Sequence, residues 1–164
     1  MSATNLISTL EKLYKLHKSL FDLSVNKTDV IKQGDMSELD RVLKDEQKHL
    51  AAIHTVEAER QRESSNYLQS RGVPFKESPT ISQCIEHSSP QEQETLAHWQ
   101  QKLVSIIGEL KAQNELNQKL VYQSLQFVNM NLSMTQPQPE PSTYSRPNGD
   151  KKAPASRSLF DSKA

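Results

Sequence analysis

The residues of this chain best equipped for chemistry are five histidines, at positions 17, 49, 54, 87 and 98, and a single cysteine, Cys84. Glu46-Gln47-Lys48-His49 has the Glu-x-x-His spacing with which carboxylate-bridged di-iron bundles place a carboxylate and an imidazole on one helix face. Such a centre uses the motif twice and adds two inward glutamates from other helices. The next pair, Glu94 and His98, has the wrong spacing. Glu46 therefore reads as a polar residue within or beside a helix–helix seam, and His17 as a satisfied packing position. Cys84 has Ser82, Gln83 and His87 nearby but no base with an orienting partner, which makes it a poor nucleophile. Cys-x-x-Cys, His-Glu-x-x-His and glycine-rich phosphate loops are all absent. No catalytic residue, metal or cofactor is expected. The chemistry left to this chain is binding.

Bulk properties narrow the kind of binding. The formal net charge is zero, and Lys and Arg alternate with Glu and Asp as on solvated helix faces. Interleaved aromatics are missing, so no nucleic acid is expected as a partner. One cysteine cannot form an internal disulfide and suits a reducing compartment. No apolar run approaches the ~18 residues that span a bilayer. The opening MSATNLISTLEKLYK lacks the basic start, apolar middle and cleavage site of a signal peptide. The expected location is cytoplasmic, without membrane insertion.

The elements that position these residues are helical. Leu6, Leu10, Leu13, His17, Leu20 and Ser24 step by 4-3-4-3-4, the spacing of a coiled-coil seam, with Tyr14 and Phe21 widening it. This predicts a first helix from about residue 4 to 33, closed by Gly34 in the left-handed conformation. Asp35, with Glu38 three residues on, caps a second helix from about 36 to 70. Its seam runs through Leu39, Val42, Leu43, Glu46, Leu50, Ile53, Glu57 and Arg60. So short a turn folds the two into an antiparallel hairpin, with residue i facing about 69 − i. Residues 71–89, with Pro74 and Pro79, form a linker in which Ile81, Cys84 and Ile85 make one helical turn against the bundle. Ser89-Pro90-Gln91-Glu92 combines an N-cap, a proline at the first helical position and a capping glutamate. The helix it opens runs to about 133, roughly 65 Å against about 45 Å for the others, so one end projects. The expected fold is all-α: an antiparallel hairpin plus a long third helix, a three-helix coiled-coil-like bundle over 1–134. Residues 135–164 hold five of the eight prolines. From Ser142 onward five bases face two acids, so this segment is expected to be a disordered, Pro-rich basic tail.

The third helix carries two apolar stripes. One holds Leu96, Trp99, Leu103, Ile106, Ile107 and Leu110, then Asn114 and Asn117, then Val121, Leu125, Val128 and Leu132. It is expected to be the seam against the hairpin, with the asparagines setting register at some cost in stability. The second stripe is Leu116, Leu120, Gln123, Phe127, Met130 and Met134, about 100° or more around the helix. No Asp, Glu, Lys or Arg occurs from Leu120 to Pro139. An uncharged face with methionines suits a surface that is covered by a helical partner. Packing inside the bundle and self-association are the other readings.

Residues 1–134 resemble the FlgN family of flagellar chaperones. The likeness lies in IKQGDMSELDRVLKDEQKHLAAIHTVEAER, with its Gly-Asp turn and Glu-x-Arg end, and in NELNQKLVYQSLQFVNMNL near the end of the last helix. STYSRPNGDKK is similar to an element such proteins carry close to the C-terminus. The resemblance implies a cytoplasmic helical chaperone of flagellar type III secretion. It implies as partners the C-terminal helical segments of hook-associated (hook–filament junction) proteins, kept from premature assembly and delivered to the export apparatus. It also implies client binding by the C-terminal portion, where the second stripe lies, and export-gate docking through Tyr144 and the tail. A monomer or weak dimer is expected. The alternative is a self-assembling coiled-coil scaffold.

Overall fold

Gly34 adopts φ 69°, and its N–H bonds to the Val30 carbonyl at 3.1 Å, closing the first helix. One residue later the Asp35 carboxylate accepts the Glu38 N–H at 3.0 Å and opens the second. A glycine is needed here because side chains rarely take this left-handed conformation. The computed structural model, which describes residues 3–136, contains α1 (Thr4–Gln33), α2 (Met36–Ser70), α3 (Ile81–Glu86) and α4 (Pro90–Thr135). Among the described residues there is no strand, and no helix is long and apolar enough to cross a membrane. Tyr144 and the expected basic tail lie outside the described residues.

α1 and α2 form the antiparallel hairpin. Ser19 meets His49 at 2.8 Å, Lys12 meets Glu59 at 3.1 Å and Lys27 meets Glu46 at 2.9 Å, a register within a few residues of the expected one. α4 runs parallel to α1: Glu92 lies beside Ala3, Asn114 beside Ser24, and Asn117 beside Thr28. α1 is therefore the middle helix. It packs along both neighbours, whereas the α2 and α4 backbones make no close approach to each other.

At the end near the N-terminus of α1 the three helices are drawn together. Leu6, Leu10, Leu68, Leu96 and Cys84 are buried in one cluster, with Tyr67 and Leu103 beside them. Each fully buried Leu contributes roughly 1.5–3 kcal/mol. α3 closes this end, starting from a Thr80–Gln83 capping box and packing on α2 and α4. Burial pushes the Cys84 thiol up from its ordinary pKa. Glu92 ties the corner by accepting from the Ala3 N–H, the Tyr67 hydroxyl and Arg71.

Candidate functional site: the projecting end of α4 and the groove beside it

The parallel register of α1 and α4 decides where α4 loses its neighbour. With Thr28 beside Asn117, the last residue of α1 falls alongside about residue 122 of α4. From Val121 to Thr135 every residue is exposed. Both stripes emerge together there. Of the expected binding residues, Leu116, Gln123, Phe127, Met130 and Met134 are exposed and Leu120 is half-buried. Phe127 leaves 62% of its surface open. These residues line one side of α4, and all but Leu120 are left uncovered by the rest of the described residues.

The first stripe departs from expectation in its second half. Leu96, Leu103, Ile106 and Leu110 are buried as a seam should be, but Val121, Leu125, Val128 and Leu132 are exposed. They continue the seam past the point where α1 stops, so nothing of this chain's described residues remains to cover them. The end of α4 is apolar on two faces and uncharged.

A layer of hydrogen bonds marks the boundary between the covered and uncovered halves of α4. Asn117, 3% exposed, donates from Nδ2 to the Ser24 carbonyl at 2.8 Å and accepts the Thr28 hydroxyl. Ser24 Oγ donates to Asn114 Oδ1 at 2.9 Å, and Gln113 donates to Thr28 Oγ1. Buried amides are tolerated when their partners are present, and such layers fix the register of adjoining helices.

Because α1 alone holds α2 and α4 apart, a groove lies between them. Its floor is the α1 stripe of Leu10, Leu13, His17, Leu20 and Lys27. Leu50 and Ile53 stand on the α2 wall, and Val104, Ile107, Val121 and Leu125 on the α4 wall. Two cavities of about 610 and 500 Å³ follow one another along it. Residues Ser78 to Ser82 stop one end, and the other opens beside the projecting end of α4. The charged residues along it are paired. Lys27 and Glu46 form an ion pair at 2.9 Å, and Arg60 Nε donates to Glu57 at 2.9 Å. The Arg60 hydrogen bonds hold the Glu57 carboxyl below the usual carboxylate range.

Two of the five histidines are engaged structurally. His17 Nδ1 faces the Leu13 carbonyl at 2.8 Å, and His49 Nδ1 faces that of Asp45 at 2.8 Å, leaving His49 Nε2 to accept from Ser19. Among the described residues no group of three or more His, Cys, Asp or Glu side chains is placed to hold a metal. What the arrangement offers is non-covalent: apolar surface at helical spacing, with a few paired polar residues. The groove itself was not foreseen, since the seam of α2 reads in sequence as one fully covered.

Compared with known proteins, the FlgN family, described as "FlgN protein", has a model that matches residues 1–152. The uncharacterized protein YvyG of Bacillus subtilis (strain 168) is 36% identical over 165 aligned positions, covering 100% of each chain. No solved structure matches.

Proposed function

The chain belongs to the FlgN family of flagellar chaperones, and on that premise we propose that it holds C-terminal helical segments of hook-associated (hook–filament junction) proteins and hands them to the export apparatus. The observation that supports this reading is the projecting end of α4, an exposed, uncharged helix with apolar stripes on two faces. Leu116, Leu120, Gln123, Phe127, Met130 and Met134 are the residues proposed to receive the client. A junction subunit's amphipathic helix would otherwise pair with a neighbouring subunit. Laid against this stripe it buries similar apolar area reversibly. The thioethers of Met130 and Met134 can repack to admit related clients. Such an interface needs no cofactor, and Tyr144 with the tail is proposed to engage the export gate.

The test is a calorimetric titration with the C-terminal segment of a hook–filament junction protein from the same organism. Saturable binding by the wild type, lost in Phe127→Asp with helicity intact, is the expected result. An exposed Phe127 makes that substitution cheap for the fold, so surviving helicity separates a binding role from a core role. No binding by a folded wild-type chain refutes the client assignment. A higher oligomer that buries the stripe in place of a client would favour the scaffold.

A further inference from the structure

The groove has the shape left when one helix is taken from a four-helix bundle. α2, α1 and α4 supply three neighbours, and packed helices sit roughly 8–10 Å apart, so a fourth can touch all three at once. Its floor follows one seam of α1, residues 10, 13, 17, 20 and 27, which is the spacing of an a/d stripe. Leu50, Val104 and Ile107 are 49%, 68% and 46% exposed although they stand on the groove walls. The floor leucines Leu10, Leu13 and Leu20 are already buried, so the uncovered apolar surface of the groove lies on its α2 and α4 walls.

We infer that this groove seats an amphipathic helix of the exported client about 25 residues long, running from the projecting end of α4 down to the stop at Ser78–Ser82 and completing a four-helix bundle. The inference rests on the client reading above and extends the site from one helix to three. Length argues for this occupant. From Leu125 to Gln100 the α4 wall measures roughly 38 Å, the length of a helix of about 25 residues. Among its described residues a second copy has one uncovered helical end to offer, residues 121–135, which is roughly 22 Å long and would leave the inner half empty. The chain's own residues 137–164 carry prolines at 137, 139, 141, 147 and 154 and one apolar pair, Leu159-Phe160. Proline within a helix removes a hydrogen bond and clashes with the preceding turn, and the sequence of that segment holds no apolar stripe of about 25 residues.

Chemistry also specifies the occupant. It is aliphatic where it faces Leu13, Ile53, Val104 and Ile107. It carries a small amide or hydroxyl where it passes Lys27, Glu46 and Asn114, whose Nδ2 has no partner among the described residues. These polar groups, with the Glu57–Arg60 pair further in, would fix the register of the bound helix.

Two substitutions test the groove apart from the α4 stripe: Leu50→Asp on α2 and Val104→Asp on α4, both at exposed positions that folding tolerates. Helicity is checked by circular dichroism, and the same junction-protein segment is the titrant. Each variant should bind at least tenfold more weakly than the wild type. Wild-type affinity in both folded variants, with Phe127→Asp still deficient, overturns the groove and leaves the chaperone reading standing. Absence of binding by the wild type overturns both. Sedimentation without the segment covers the remaining occupant: a wild-type dimer split by either substitution assigns the groove to a second copy and overturns the inference.

Discussion

Replacing Glu92 with glutamine tests whether one carboxylate holds the closed end of the bundle together. Glu92 accepts the Ala3 N–H at 2.8 Å, the Ser89 hydroxyl at 2.9 Å, Arg71 Nη2 at 3.0 Å and the Tyr67 hydroxyl at 3.2 Å. It thereby joins the start of α1, the end of α2 and the start of α4. The Ala3 hydrogen bond, followed by those from Ser89 and Tyr67, lowers its pKa from the ordinary 4.5 to about 2, against the opposing effect of partial burial. With the folded pKa below the unfolded one, the unfolded chain binds more protons between pH 2 and 4.5. Stability from this group is full above pH 4.5 and is lost as pH falls toward 2. The shift sets an upper bound of about 3 kcal/mol. The side chain keeps 19% exposure at the rim, and solvent screening leaves about 1–2 kcal/mol. Glutamine keeps one acceptor and does not titrate. Urea unfolding followed by circular dichroism, from pH 7 down to pH 3, should show Glu92→Gln about 1–2 kcal/mol less stable at pH 7, with the gap narrowing as the pH falls. A gap that stays constant, or none at pH 7, would refute this account of the corner.

Two further outcomes follow from the interior. Asn117→Ala strips partners from the Ser24 carbonyl and the Thr28 hydroxyl, and should cost about 1–3 kcal/mol in thermal or urea unfolding. An unchanged midpoint would mean that water replaces the amide and that the layer does not fix register. Cys84 is fully buried with its pKa raised, so at pH 8 a thiol-specific reagent should label the native chain at least about a hundredfold more slowly than the urea-unfolded chain. A fast native reaction would place Cys84 at a surface rather than in the α2–α3–α4 junction.

Local signals in the sequence carried most of the fold. Gly34, Asp35, Ser89 and Glu92 act within four residues of themselves, so their roles as stop, caps and capping box can be read without a neighbour. The α1 seam was legible for a similar reason. Leu6, Leu10, Leu13, Leu20 and Ser24 are buried by whatever covers that stripe. The position of α4 along α1 was not legible. It depends on the length of residues 71–89 and on Glu92 reaching the Ala3 N–H, and no periodicity encodes either. Hence Val121, Leu125, Val128 and Leu132 looked like seam and stand exposed. The second stripe was legible as an uncharged face, and Leu116 is exposed even where α1 still runs beside Asn117, so the stripe lies off the α1 contact as well as beyond its end.

The groove was hidden for a related reason. A helical stripe records that something covers it in some state of the protein, not whether the cover belongs to the same chain. α2 gave one usable hint: Glu46, Glu57 and Arg60 share its seam with Leu50 and Ile53. A permanently closed seam between three helices would have to desolvate all those charges. Beside an open groove Lys27 pairs with Glu46 and Arg60 with Glu57, and each pair keeps some access to water. The closed end is built differently, with Leu6, Leu10, Leu68 and Leu96 packed together and Glu92 held at the rim by five donor groups. One end of α1 is thus buried within this chain, while the other lies beside apolar surfaces that no described residue covers. On the client reading proposed above, a chain built this way would fold through the closed end and still offer apolar area at helical spacing to a partner helix.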